Sequence, residues 1–361
     1  MSANKSLSEL REAIDALDGH LLALFNERAC LAKDVASVKI AEGEVGDFYR
    51  PDREATILRH IKQSNPGPLK DEHVVRLYRE LMSSCLALQK PLTVSYLGPI
   101  GTFTQEAALK HFGHAIDSVA VGAISDIFNE VENGKADYGV VPVENSTEGV
   151  ITHTLDMFMK SPLHICGEVE LRIHHHLLSN VEILEDVKII YSHQQSLGQC
   201  RQWLATHLPQ VKTVSVTSNA EAARLAAEEL GSAAIAGEIA SEIYNLKKLA
   251  SHIEDEAHNT TRFLIIGERI VSVSGEDKTS LMISTKNISG ALHDVLSPFA
   301  EASISLNKIE SRPSRKGAWE YVFFIDIDGH KDDEHVVKVL DALKSKVSQL
   351  KVLGSYPKAV I

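Results

Sequence analysis

A chain of 361 residues is too long for one ordinary domain, and its 44% hydrophobic and 24% charged residues read as globular. A formal net charge of −12 argues against nucleic acid or an anionic membrane as partner, so any anionic ligand must be caught by local cations. The N-terminus has no apolar signal core and no later apolar run could span a bilayer. The four cysteines (Cys30, Cys85, Cys166, Cys200) lack Cys-x-x-Cys spacing, so a reducing cytoplasm is expected, with neither a disulfide framework nor a zinc site.

The first element is a long helix. Leu7, Leu10, Ile14, Leu17, Leu21, Leu24, Leu31, Val35 and Val38 recur at spacings of three and four, a heptad seam about 50 Å long. Arg28 interrupts it, and a guanidinium on a buried face needs an anion. Lys39 comes back to within about 20° of Arg28 around the helix, whereas Arg11 points about 100° away. The same pattern also fits a dimerisation helix whose Arg28 snorkels. After the breaker at Glu42–Gly46, Pro51 opens a second helix, with Arg53 and Glu54 in its first turn and Ile57, Leu58 and Ile61 inward. A third runs from about Asp71 to Gln89. Three helices of such unequal length close a bundle only if two copies interlock, and Arg11 would then reach the partner's site.

Arg11, Arg28, Lys39, the Arg53–Glu54 pair and Gln89 resemble, in order and spacing, the all-helical chorismate mutases, in particular the helical domain of the bifunctional chorismate mutase–prephenate dehydratases. The resemblance implies that Arg28 and Arg11 of the other subunit clamp the two carboxylates of chorismate. Lys39 and Gln89 would donate to the breaking ether oxygen and Glu54 would accept from the ring hydroxyl, with Arg53 nearby. That rearrangement needs no nucleophile, only a held conformer and stabilised charge. Cys85 stands where well-known members carry serine.

Beyond Pro91 strands alternate with helices. Strands are expected at Val94–Leu97, Tyr138–Pro142, Ile165–Leu171, His176–Leu178, Lys188–Tyr191, Thr213–Val216, Ala233–Ala236 and Phe263–Ile266. The pattern predicts two linked α/β lobes with a cleft. Gly98 and Gly101 lack the lysine of a phosphate loop. The polar run at 144–149 ends a strand, where α/β sheets place ligands, although it also fits helix capping. Successive histidines at 174–176 alternate faces on a strand and cannot converge on one ion. The run from Ser192 and His193 to Cys200 reads as a strand-to-helix turn with no triad partners. Thr261 and Arg262 fall on opposite sides of an extended segment.

Gly98-Pro-Ile-Gly-Thr-Phe-Thr, Pro142-Val-Glu-Asn-Ser, Tyr191-Ser-His and Thr260-Thr-Arg-Phe resemble prephenate dehydratase in order and context. The resemblance implies loss of carbon dioxide and hydroxide from prephenate, with Thr261 assisting the departing hydroxide. It makes Arg262 the partner of a substrate carboxylate, and Asn145, Ser146, Ser192 and His193 the cleft lining.

After a polar linker at Ser272–Asp277, strands at Thr279–Thr285, Ile304–Ser311, Ala318–Asp328 and Leu350–Leu353 and helices at Ile288–Ala300 and Glu334–Ser345 are expected, a βαββαβ order in about 80 residues that predicts a ferredoxin-like module. Gly290-Ala291-Leu292 and Glu310-Ser311-Arg312-Pro313 resemble the ACT regulatory domain of prephenate dehydratases, which implies phenylalanine as effector. Gly290 would allow close backbone approach and helix N-terminal amides would receive an α-carboxylate, with the second run in a loop shaping the pocket. The expected fold class is multidomain: an all-α, intertwined helical dimer over 1–91, a two-lobed α/β domain over 92–271 and an α+β ACT domain over 277–361. The expected function is chorismate to prephenate to phenylpyruvate, with phenylalanine inhibition, no metal or organic cofactor, and a homodimer or tetramer. Two other readings stay open: a dehydratase whose helices only dimerise, and a non-catalytic amino-acid sensor. Arogenate as the dehydratase substrate also stays open.

Overall fold

The computed structural model describes residues 6–43, 48–285, 288–313 and 321–360; part of the expected breaker at 42–46, and the start of a strand expected from Ala318, lie outside them. Helix α1 (Leu7–Ala41) opens on a capping box, in which Ser6 Oγ accepts from the Glu9 amide at 3.2 Å and Glu9 Oε2 from the Ser6 amide at 2.7 Å. Helices α2 (Pro51–Ser64) and α3 (Asp71–Ala87) pack against each other, and Leu58 on the first and Val75 on the second are buried. The seam residues of α1 are 45–65% exposed, and Ala36 is its one buried residue among those described. In a single chain the long helix presents a bare apolar stripe.

The next region has two lobes. The first holds β1 (Thr93–Leu97), α4 (Phe103–Phe112), β2 (Asp117–Val121), α5 (Ile124–Glu132), β3 (Tyr138–Asn145), β4 (Gly149–Val150), α6 (Thr152–Phe158) and β5 (His164–Arg172). The second holds β6 (His176–Ser179), β7 (Ile189–His193), α7 (Gln194–Gln199), α8 (Arg201–His207), β8 (Lys212–Val216), α9 (Asn219–Glu228), β9 (Ser232–Ala236), α10 (Glu238–Ile243) and β10 (Lys247–Ala250). The chain then returns to the first lobe as β11 (Thr260–Gly267), between β3 and β5. The sheets run β2-β1-β3-β11-β5, with β4 beside β3, and β10-β6-β9-β7-β8. The crossings at 173–175 and 251–259 form a two-stranded hinge. Strands β2 and β10 were not expected: β2 is mostly exposed and β10 is a short edge, so neither carries a strong apolar pattern.

The last region runs β12 (Asp277–Thr285), α11 (Ala291–Glu301), β13 (Leu306–Pro313), β14 (Tyr321–Asp328), α12 (Glu334–Lys344) and β15 (Gln349–Pro357), with antiparallel order β13-β14-β12-β15. This is the expected βαββαβ arrangement. Glu310, Ser311, Arg312 and Pro313, expected in a loop although the run also fits a strand end stopped by proline, are the last residues of β13, paired to the start of β14. One face of this sheet shares a core with the first lobe: Met282, Val322, Phe324, Leu353 and Tyr356 pack with Val141, Val143, Leu155, Phe158, Ile165 and Leu264. Gly354 permits the contact, since a Cβ there would lie 2.1 Å from the Ile165 carbonyl oxygen.

Candidate active sites

The end of α1, the turn before α2 and the end of α3 enclose a cleft of about 780 Å³. Arg28, Lys39, Arg53, Glu54 and Gln89 all line it, together with Cys85. Five of the six residues expected for the helical site thus meet in one chain. Arg11 does not, being about 25 Å from Arg28 along the helix axis at ~1.5 Å per residue. Lys39 Nζ lies 5.8 Å from the centroid of the Phe48 ring. Glu54 sits behind this cationic rim with its side chain 17% exposed and 3.7 Å from Arg79 Nε. Burial pushes its carboxyl up to about 7, outweighing the guanidinium. Arg79 was not expected from the sequence, since nothing in the pattern marks a buried cation on α3.

A second cleft, of about 480 Å³, opens between the lobes, lined by Thr147, Glu148, Gln199, Arg201, Glu254 and Asn259 among others. Next to it, Asn145 Nδ2 donates to Thr261 Oγ1 and to Asn259 Oδ1, both at 2.8 Å. Its Oδ1 accepts from the Thr147 and Glu148 amides at 2.9 and 3.0 Å, which fixes which end of the amide faces Thr261. The polar run is therefore an Asx turn between β3 and β4, not a helix cap. With its oxygen accepting from Asn145, the Thr261 hydroxyl points its proton elsewhere, as a donor. Asn259 Nδ2 also donates to Gln199 Oε1 at 3.3 Å, which lies 2.9 Å from His175 Nε2. Ser146 is bound into the β11 turn, with its Oγ donating to the His258 carbonyl at 3.2 Å and accepting from the Thr260 amide at 2.9 Å.

Ser192 and His193 stand elsewhere. Ser192 is fully buried, donating to Asn219 Oδ1 at 2.9 Å and the Ile235 carbonyl at 3.0 Å, while His193 caps α7. They shape the turn that carries Gln194 and Gln195 to the cleft.

Arg262, expected on a substrate carboxylate, is directed away from Thr261 by strand alternation. It donates from Nε to Glu168 at 2.9 Å, from Nη1 to Asp326 at 2.6 Å and from Nη2 to the Tyr356 hydroxyl at 2.9 Å. Lys278 donates to both Glu168 oxygens at 2.8 Å. All four charged side chains are at most 13% exposed, so the network is a buried junction between the second and third regions. Lys308 bridges the same junction to Glu144 at 2.8 Å, and Arg312 reaches Asp156 at 2.9 Å.

In the third region Gly290 caps α11 at φ 85°, the left-handed region that glycine adopts at little cost. Among the described residues no heavy atom lies within 4 Å of a Cβ built there, so within the chain it is the left-handed backbone and not packing that favours glycine. Thr285 and Pro313 both pair with Tyr321, which brings the Gly290–Leu292 turn and the end of β13 to one end of the sheet. Leu292, Ile309 and Tyr321 leave exposed apolar surface in this region. Among the described residues, His174, His252 and Glu254 form the one group with metal-ligand spacing.

Three family models cover most of the chain: chorismate mutase type II over residues 10–90, prephenate dehydratase over 94–270 and the ACT domain over 279–345. A bifunctional chorismate mutase/prephenate dehydratase of Pseudomonas aeruginosa is 54% identical over 365 residues, covering 100% of both chains. Its counterpart in Neisseria gonorrhoeae is 51% identical over 354 residues, covering 97% of each. Among solved structures, the prephenate dehydratase of Arthrobacter aurescens in complex with L-Phe superposes with a TM-score of 0.68 at 33% identity, over 74% of this chain and 90% of that one. With both enzyme domains and the ACT domain matched in order, and full-length relatives above half identity, the chain belongs to the bifunctional chorismate mutase/prephenate dehydratases.

Proposed function

We infer that the family's two reactions run in the two separate clefts of this chain, with boundaries near residues 91 and 271, and that phenylalanine acts through the third region. In the helical cleft, Arg28 binds one carboxylate of chorismate and Arg11 of a second copy binds the other. The bare seam of α1 supports such an interlocked homodimer, which a tetramer could extend. Lys39 and Gln89 stabilise the ether oxygen as it gains charge, ionised Glu54 accepts from the ring hydroxyl, and Arg53 adds positive potential.

In the interlobe cleft, prephenate loses its ring carboxylate as carbon dioxide. The electron pair left behind aromatises the ring and expels hydroxide, which takes a proton or hydrogen bond from Thr261. Asn145 holds that hydroxyl as a donor, and this contact is the observation that carries the assignment. Arg262 is tied up on the other face of the sheet, so we assign the substrate carboxylate to Arg201, a cation that does line the cleft. Ser146 shapes the turn, and Ser192 and His193 support it from behind. Phenylalanine is proposed to bind where Gly290, Ala291 and Leu292 adjoin Glu310, Ser311, Arg312 and Pro313; the solved L-Phe complex of a related dehydratase supports the choice of ligand. We place the enzyme in the cytoplasm; no helix among the described residues is long and apolar enough to cross a membrane.

The test is to feed purified protein chorismate and follow both acids by chromatography, with and without phenylalanine. Lys39→Ala should slow chorismate loss by about 10²–10³-fold while added prephenate still turns over. Thr261→Ala should leave chorismate loss intact and let prephenate accumulate. A variant that lost both reactions, or neither, would contradict the two-cleft assignment.

A further inference from the structure

The three histidines do not share one strand: His174 and His175 lie on the first hinge crossing and only His176 belongs to β6, and the partners for an ion come from the other crossing. His174 lies on the first hinge crossing, and His252 and Glu254 on the second. Glu254 Oε1 is 2.7 Å from His174 Nδ1, His252 Nδ1 is 2.8 Å from His174 Nδ1, and His252 Nδ1 is 3.8 Å from Glu254 Oε1. The Glu254 side chain is only 5% exposed, and its other oxygen accepts from the His175 amide at 2.9 Å. It is a fixed carboxylate facing two imidazoles.

Protons satisfy this arrangement poorly. If His174 Nδ1 carries a hydrogen for Glu254, His252 must present a lone pair, so two acceptors compete for one proton. If both rings carry hydrogen at Nδ1, two N–H groups confront each other at 2.8 Å. A divalent cation satisfies all three lone pairs at once. Zinc bonds of about 2.0–2.1 Å at tetrahedral angles separate ligand atoms by about 3.3 Å, a value the observed separations bracket. His252, with its side chain 60% exposed, has room to make the adjustment and leaves the ion's fourth position to solvent. His252 also sits at φ 54°, a left-handed conformation that side chains other than glycine adopt mainly where local context holds them.

We propose that His174, His252 and Glu254 form a zinc-type divalent cation site that ties the two hinge strands together. Two imidazole nitrogens and one carboxylate favour zinc over magnesium or calcium, which take oxygen ligands. Because the ligands come from both crossings, the ion restricts the angle between the lobes. It also holds Glu254 at the rim of the interlobe cleft. The consequence for turnover rests on placing the dehydratase reaction in that cleft; the binding itself does not.

The experiment titrates full-length, chelator-treated protein with Zn²⁺ by calorimetry and with Co²⁺ by visible absorption. One site per chain with Kd below about 10 μM is expected, weakened about tenfold or more in His174→Ala and in His252→Ala. Absence of saturable binding, or unchanged binding in both variants, would overturn the site. So would a thiolate-to-cobalt band in the near ultraviolet, which would assign the ion to the exposed Cys30. Zinc should then slow prephenate turnover about tenfold in the parent chain and not in His252→Ala, leaving chorismate consumption untouched in both. Metal bound at these ligands with no change in prephenate turnover would overturn the clamp. Loss of prephenate turnover in Thr261→Ala, with zinc affinity unchanged, keeps a failure of the metal site distinct from a failure of the catalytic assignment.

Discussion

The buried junction around Arg262 makes a quantitative prediction. Asp326→Asn preserves shape and one acceptor but removes one of two negative charges that balance Arg262 and Lys278. Glu168, 2% exposed, then faces two cations alone. Breaking a buried pair by removing one partner costs about 3–5 kcal/mol, and an amide that keeps a hydrogen bond puts the loss near about 3 kcal/mol. For a unit of this size that lowers the melting midpoint by roughly 6–12 °C, which circular dichroism would register. Thr261 neighbours Arg262 on β11, where the pairing to β3 shifts register just after Arg262. Loosening Arg262 should therefore lower prephenate turnover and blunt phenylalanine inhibition, while chorismate consumption stays at its parent rate. A variant with unchanged melting and unchanged dehydratase rate would refute the claim that this network joins the regulatory sheet to the catalytic strand.

Gly354→Ala should damage the same junction sterically, because its Cβ would meet backbone at 2.1 Å, and differential scanning calorimetry should show a lower transition with weakened response to phenylalanine. Asn145→Asp turns a donor toward Thr261 into an acceptor, so the hydroxyl should swing its proton onto the carboxylate; prephenate turnover should fall about a hundredfold with mutase turnover intact. Glu54 is neutral below about 7, so mutase kcat/KM should rise as pH passes upward through that value, and Glu54→Gln should flatten this limb. The raised pKa also means that the fold gains from protonated Glu54 at pH below the ordinary carboxylate value and loses that gain as pH rises through about 7, a trend urea unfolding would follow.

The helical cleft was legible because a cation at a seam position breaks a strict rule, and periodicity alone brings Lys39 onto the face of Arg28. Arg79 was invisible, since α3 is amphipathic without it and its partners, Glu54 and the Lys110 carbonyl, come from other elements. Alternation correctly put Thr261 and Arg262 on opposite faces of β11, yet it could not say which face held the cleft. Both faces are covered, one side of the sheet by the ACT strands, and only the tertiary arrangement decides. The three histidines teach the same lesson: strand alternation was expected to separate them, but His174 and His175 are not on a strand, and Glu254 and His252, nearly 80 residues on, are brought to His174 by the second hinge crossing.

The shared core also constrains how an effector can act. A regulatory domain on a flexible tether could swing away without touching the catalytic strand, but here Val322, Phe324, Leu353 and Tyr356 pack with Val141 and Val143 of β3 and Leu264 of β11, the strands that carry Asn145 and Thr261. Packed cores are close to incompressible, so a shift of the ACT sheet must be taken up at its polar edge. That edge runs through Asp326 to Arg262 and through Lys308 to Glu144, the immediate neighbours of Thr261 and Asn145. Both halves of the donor pair are thus gripped from the regulatory side. A displacement of about 0.5 Å or more there carries a 2.8 Å hydrogen bond past the ordinary limit of about 3.2 Å without any large domain movement.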